Sequence, residues 1–112
     1  MTNLILGASG NIGVSLSKKN KSTVFTYNSK RVKGAIKFDI RKDNISKLVK
    51  KYKVNSVAYL IAISDPNFCY KYKLKSRNIN IIKTVKILNY VIKKNIYFIF
   101  FSSEFVFDGK KK

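Results

Sequence analysis

The sequence predicts an α/β fold built on a doubly wound parallel sheet, and three features predict it. Short apolar runs alternate with amphipathic helical segments. A glycine-rich turn, Gly7-Ala8-Ser9-Gly10-Asn11-Ile12-Gly13, follows the first apolar run. The runs Val57 to Ile63 and Ile96 to Phe101 are continuously apolar, as strands covered on both faces of a parallel sheet are.

Each element has its own justification. Asn3-Leu4-Ile5-Leu6 is a short apolar run stopped by glycine, and reads as the first strand. A helix follows the glycine turn, with Ile12 and Leu16 one turn apart. Ser22 to Tyr27 is rich in β-branched and aromatic residues and forms the second strand, with Asn28-Ser29-Lys30 as the loop leaving it. Ala35-Ile36-Lys37-Phe38 is a short third strand closed by Asp39-Ile40. Asp43 is placed to cap the next helix, whose apolar face is Ile45, Leu48, Val49 and Tyr52. Val57 to Ile63 is the fourth strand, broken by Ser64-Asp65-Pro66-Asn67. Asn78 to Lys94 is the longest helix, and the stripe Ile81, Val85, Leu88 and Ile92 is expected to be core. Ile96 to Phe101 is the fifth strand, ended by Ser102-Ser103. There is no internal repeat or linker.

Length and composition exclude several classes of function. A chain of 112 residues with 46% hydrophobic and 13% aromatic content holds one domain and is too apolar for a disordered basic tail. Its longest apolar runs fall far below the roughly 18 residues that span a bilayer. The N-terminus lacks the basic start and long apolar stretch of a secretory signal. Cys69 is the one cysteine and is expected to be a small buried hydrophobe; with no disulfide possible inside the chain, a cytoplasmic location is expected. Histidine is absent, so histidine-based triads and histidine-ligated metals are excluded for this chain acting alone, and no metal site is expected.

The net charge of +19 first suggests nucleic acid. Its make-up argues against that reading. Of 24 cations only Arg31, Arg41 and Arg77 are arginine, the residue that base and phosphate recognition favours for its bidentate fork. Lys, Ile and Asn together make up 46 of the 112 residues, a skew towards codons rich in A and T. The lysines are spread from Lys18 to Lys112, so the charge reads as background composition on a solvated surface.

The glycine turn carries the functional argument. In a strand-turn-helix, glycines at this spacing allow a tight turn, close approach of backbone to a pyrophosphate, and close packing of helix on strand. The helix N-terminus offers unpaired amides and the positive end of its dipole to the phosphates. Gly7, Gly10 and Gly13 fit these three jobs, and also fit an ordinary tight turn. Folds of this kind that take NAD place a carboxylate about 20 residues on. Here that place holds Asn28-Ser29-Lys30-Arg31, and no carboxylate occurs before Asp39. The expected cofactor is therefore NADP, with NAD as the alternative.

Three segments together resemble the extended short-chain dehydrogenase/reductase superfamily, and most closely its dTDP-4-dehydrorhamnose reductase branch. They are Gly7 to Gly13, Ala62-Ile63-Ser64-Asp65-Pro66, and Ser102-Ser103-Glu104-Phe105-Val106-Phe107-Asp108-Gly109. The resemblance spans Asn3 to Gly109 and implies a Rossmann-like domain over residues 1–112 that binds NAD(P) and is truncated at its C-terminus, without the substrate lobe. It implies that Gly7, Gly10, Asn11, Ile12 and Gly13 line the pyrophosphate. Asn28, Ser29, Lys30 and Arg31 are expected at the adenosine ribose, and Asp39 and Ile40 at the adenine. Ala62, Ile63, Asn80 and Ser102 are expected along the cofactor, with Ser103 on the hydroxyl position that helps bind the substrate carbonyl. Asp39 and Asn80 read equally well as a turn residue and an exposed polar residue.

The departures are as informative. The family's proton donor, a tyrosine four residues before a lysine, lies downstream of the Val-Phe-Asp-Gly stretch, where this chain has only three more residues. Tyr90 precedes Lys94 by four, but upstream of the fifth strand, a coincidence of spacing. Lys83 and Ile61 stand where the family commonly has glycine and alanine. The expected function is the cofactor half of a nucleotide-sugar reductase, acting on a nucleotide-sugar substrate and pairing as a homodimer in the intact protein. A non-catalytic dinucleotide-binding or regulatory module of the same fold, and a basic nucleic-acid-binding domain, are the alternatives.

Overall fold

A computed structural model describes residues 2–19, 22–101 and 110. Five parallel strands form one sheet in the order β3-β2-β1-β4-β5. Strand β1 (Thr2–Leu6) lies at its centre, between β2 (Thr23–Tyr27) and β4 (Val54–Tyr59), with β3 (Ile36–Lys37) and β5 (Tyr97–Phe100) at the edges. Leu4 is opposite Val24 on one side and Val57 on the other. Parallel neighbours require crossovers. Helix α1 (Asn11–Lys19) joins β1 to β2, α2 (Ile45–Tyr52) joins β3 to β4, and a longer helical path joins β4 to β5. That path is α3 (Pro66–Lys71), α4 (Lys73–Arg77), a π-helical turn (Asn78–Lys83) and α5 (Thr84–Lys93). The chain builds outward from β1 in one direction and then crosses back to β4, so the strand order reverses between β1 and β4. Open α/β sheets hold ligands at such a switch point, beyond the carboxyl ends of the strands.

The core is the apolar face that the central strands turn to the helices. Leu4, Leu6, Val57 and Val91 are fully buried, and Phe38, Ile40, Ile45, Val54, Tyr59, Ile87 and Ile96 pack with them. Buried Tyr59 reaches the Thr84 hydroxyl at 2.8 Å. Thr84 donates its one proton to the Ile79 carbonyl at 3.0 Å, so Tyr59 is the donor of the pair. Burial raises the Tyr59 phenol pKa, partly offset by its bond to Thr84. No helix among the described residues is long and apolar enough to cross a membrane.

Four details differ from the sequence expectation. The fourth strand is Val54–Tyr59, not Val57 to Ile63. Lys53 ends α2 in the left-handed conformation (φ 51°), so the chain enters the sheet at once, and the apolar residues after Tyr59 leave it to wall a cleft. The cap of α2 is Asn44, whose Oδ1 accepts from Ser46 N at 2.9 Å; Asp43 instead accepts the Asp39 N–H at 2.7 Å. The third strand is reduced to its two central residues. The expected core stripe is out of phase: Ile81, Val85 and Ile92 are 54%, 47% and 60% exposed, while Thr84, Ile87 and Val91 face the core and only Leu88 of the stripe packs against it. The π-turn inserts an extra residue into the helical repeat, so a pattern projected through it at 3.6 residues per turn lands on the wrong face. Cys69, on α3, is half-buried with Sγ 3.4 Å from the Ile63 carbonyl.

Candidate functional site

A cleft of about 980 Å³ opens over the carboxyl ends of the strands. Its floor is the glycine turn. Gly7 has φ +94°, a conformation that side chains rarely adopt, and a Cβ on it would lie 3.0 Å from the Leu60 carbonyl carbon. Gly13 allows close packing: a Cβ there would come within 2.5 Å of Ala8 Cα and 2.6 Å of the Gly7 oxygen. Gly10 differs, since a Cβ on it would meet nothing within 4 Å and would project into open space. The turn is anchored from both neighbouring strands. Ala8 N donates to the Thr26 carbonyl at 2.7 Å, Gly7 N to the Thr26 hydroxyl at 3.3 Å, and Leu60 N to the Leu6 carbonyl at 2.8 Å. Helix α1 begins at Asn11, so its first amides have no acceptor within the helix and stand at the cleft floor.

The far wall is the segment after β4, and Asn80 holds it. The Asn80 side chain accepts from Ile63 N at 2.8 Å and donates to the Ile63 carbonyl at 3.0 Å, closing a two-bond clamp between the π-turn and the loop. The near wall is the end of β3. Asp39 is 2% exposed, and Arg41 wraps it. Oδ1 accepts from Arg41 N at 2.9 Å and from Arg41 Nε at 3.0 Å, and Oδ2 accepts from Nη2 at 2.8 Å. This hydrogen-bonded fork holds the Asp39 pKa at about 2 against the opposing effect of burial, and raises that of Arg41.

Among the described residues lining the cleft, Asp39 and Arg41 are the only charged ones. A chain of net charge +19 thus keeps its lysines out of this site. Gly7, Gly10, Asn11, Ile12, Gly13, Asn28, Ser29, Asp39, Ile40, Ala62, Ile63 and Asn80 all line it. Lys30 and Arg31 are exposed and do not. Ser102 and Ser103 lie outside the described residues. Tyr90, which precedes Lys94 by four, lines a separate cavity between the start of α2 and α5. Sequence reasoning missed Thr26, Tyr59 and Arg41 as parts of the site. Of these Arg41 had a readable signal, a cation two residues from the only carboxylate near the cleft.

The donor set suits a ligand that brings phosphate to a helix N-terminus: open backbone at Gly10, unpaired amides at the start of α1, and no side-chain cluster among the described residues that could hold a metal. Comparison with known proteins agrees. A family model described as the RmlD substrate binding domain matches residues 1–112. A hypothetical dTDP-4-dehydrorhamnose reductase from Sulfolobus tokodaii superposes with a TM-score of 0.86 at 28% identity, over 99% of this chain and 42% of its own. L-threonine 3-dehydrogenase from Trypanosoma brucei superposes with a TM-score of 0.69 at 26% identity, over 88% of this chain and 35% of its own. UDP-glucose-4-epimerase from Stenotrophomonas maltophila, solved with bound NAD and formylated UDP-arabinopyranose, superposes at 0.80 over 100% of this chain and 40% of its own; at 18% identity it shows the fold alone. No curated protein matches the sequence. This chain thus spans about two fifths of the length of these solved relatives.

Proposed function

The chain belongs to the RmlD substrate binding domain family, and from that premise we propose that it is the N-terminal, cofactor-binding part of a cytoplasmic NAD(P)-dependent nucleotide-sugar reductase resembling dTDP-4-dehydrorhamnose reductase. The observation that carries this reading is the cleft at the switch point, floored by a glycine turn whose middle glycine is open to a ligand while its outer glycines are closed against backbone. The first amides of α1 would hold the pyrophosphate, Asn28 and Ser29 the adenosine ribose, and the Ala62–Ile63 wall, fixed by Asn80, the nicotinamide half. Bound there, the dinucleotide supplies hydride. By the sequence resemblance, Ser103 hydrogen-bonds the sugar carbonyl that receives it. The proton for the new hydroxyl needs an acid, and Tyr90 is not placed to serve, since it lies on the wall of another cavity.

NADP is the preferred cofactor in this reading. No carboxylate stands at the end of β2 to repel a 2′-phosphate, and Lys30 and Arg31 follow within a few residues as exposed cations. Titrating the 112-residue chain with NADPH and NADH, followed by nicotinamide fluorescence, tests both levels. Binding of either supports the dinucleotide site, and tighter NADPH binding that Lys30→Glu reverses supports the preference. NADH bound more tightly, in an order Lys30→Glu leaves unchanged, removes the preference; binding of neither removes the site.

A further inference from the structure

We propose that Arg41 is a positioning residue that locks Asp39 as a hydrogen-bond acceptor in the cleft wall, and that this pair makes the site select an aminopurine over an oxopurine dinucleotide. The inference rests on the dinucleotide reading above and adds a selectivity to it. A carboxylate offers about four lone-pair directions. Arg41 fills three of them, two on Oδ1 through its backbone N and Nε and one on Oδ2 through Nη2, so one acceptor direction on Oδ2 remains. Asp39 is nearly inaccessible to water yet lines the cleft, so what meets that direction is a ligand group. Lys42 adds a second attraction that keeps the carboxylate ionised, and the Asp43 carboxylate, on the same turn, is turned to the Asp39 N–H. An ionised carboxylate can only accept.

The rest of the ligand is placed by the same electrostatics. The phosphates belong at the amides of α1, and a fixed negative charge at the end of β3 repels them, so the neutral base is the part of a dinucleotide that lies against Asp39. Adenine presents an exocyclic amino group, a donor; hypoxanthine presents a carbonyl oxygen at the same position, an acceptor facing an acceptor. Without Arg41 the buried carboxylate loses its counter-charge and protonates more readily, and a protonated carboxyl can also donate. The distinction between amino and oxo bases then collapses.

The experiment is titration of the full chain with reduced nicotinamide adenine dinucleotide and reduced nicotinamide hypoxanthine dinucleotide, reading the ratio of the two dissociation constants. That ratio is independent of the folded fraction when unfolded chain binds neither. The unmodified chain is expected to favour the adenine form by roughly 10- to 100-fold, the range set by one hydrogen bond to a charged group. Arg41→Gln brings the ratio towards one, Arg41→Lys keeps part of it, and Asp39→Asn, whose amide both donates and accepts, abolishes it. Adding Arg41→Gln to Asp39→Asn changes the ratio no further. An unchanged ratio in Arg41→Gln, with both ligands weakened alike, makes Arg41 merely structural and overturns the proposal, as does a further change of ratio in the double variant. Binding of neither dinucleotide by the unmodified chain refutes the dinucleotide reading, and this inference falls with it.

Discussion

Replacing Gly13 or Gly10 by alanine separates what the glycine turn does for folding from what it does for binding. In Gly13→Ala the new Cβ would stand 2.5 Å from Ala8 Cα, 2.6 Å from the Gly7 oxygen and 2.8 Å from the Ala8 carbonyl carbon, all backbone atoms that cannot rotate away. Restoring ordinary contact means moving the turn by about 1 Å relative to α1, a small-to-large strain of about 3 kcal/mol. That shift also weakens the 2.7 Å bond from Ala8 N to the Thr26 carbonyl, worth about 1 kcal/mol. Better helix propensity returns about 1 kcal/mol. The net loss is about 3 kcal/mol, or roughly 10–15 °C in melting temperature for a domain of this size. In Gly10→Ala the Cβ meets no protein atom within 4 Å, so stability should stay within about 0.5 kcal/mol. The same Cβ fills the space where a pyrophosphate would approach the backbone, and dinucleotide affinity should fall at least about tenfold. Thermal melts by circular dichroism and a dinucleotide titration read the two effects separately. Equal destabilisation by the two substitutions, or a Gly13→Ala protein as stable as the parent, would refute the packing argument.

The pH dependence of stability follows from the Asp39 fork. Arg41 lowers the Asp39 pKa from 3.8 to about 2, so the folded state binds this proton less readily than the unfolded chain does. The stabilisation is complete above the unfolded value and is lost as pH falls from about 4 to about 2, with an upper bound of about 2 kcal/mol. The unfolding free-energy difference between the parent and Asp39→Asn should therefore shrink across that window, and a difference flat in pH would show that the fork adds nothing. The phase of the long helix is tested by a pair of truncations. Ile87→Ala should cost about 2–5 kcal/mol because Ile87 is buried in the core, whereas Ile81→Ala, at a residue 54% exposed, should cost about 0.5 kcal/mol or less; denaturant midpoints in the reverse order would restore the phase that periodicity alone implies.

That reversal shows where periodicity succeeds and fails in this chain. Strand β1 and the glycine turn were legible because chemistry marks their ends: an apolar run meets Gly7, and glycines recur at the spacing a phosphate-binding turn needs. The end of β4 was not. Leu60 to Ile63 are as apolar as the strand before them because they wall a cleft and are mostly half-buried, so burial in a sheet and burial in a site look the same in sequence. The π-turn carries no compositional mark, and its effect appears only as a stripe read on the wrong face. Asn80 was legible as a motif residue, but its job of gripping Ile63 by both backbone groups depends on a contact 17 residues away in sequence. Arg41 had a local signal in its spacing from Asp39, obscured by 23 other cations.

The charge of those cations and the chemistry of the cleft are separable, and this bears on how the site handles phosphate. A protein that relied on lysine to hold a dinucleotide would bring some of its 21 lysines into the cleft lining, and among the described residues none is there. The one cation that is present has its guanidinium hydrogen-bonded to Asp39. Pyrophosphate recognition is thereby left to backbone amides and the dipole of α1, groups whose strength does not depend on side-chain identity and which any glycine-permitted turn of this geometry offers. Composition can then drift to a net charge of +19 without altering the floor of the site. Sensitivity to side-chain charge is confined to two places: the rim after β2, where Lys30 and Arg31 can meet a 2′-phosphate, and the end of β3, where Arg41 sets the state of Asp39. A substitution in either changes which dinucleotide is preferred, while the glycine turn decides whether any is bound at all.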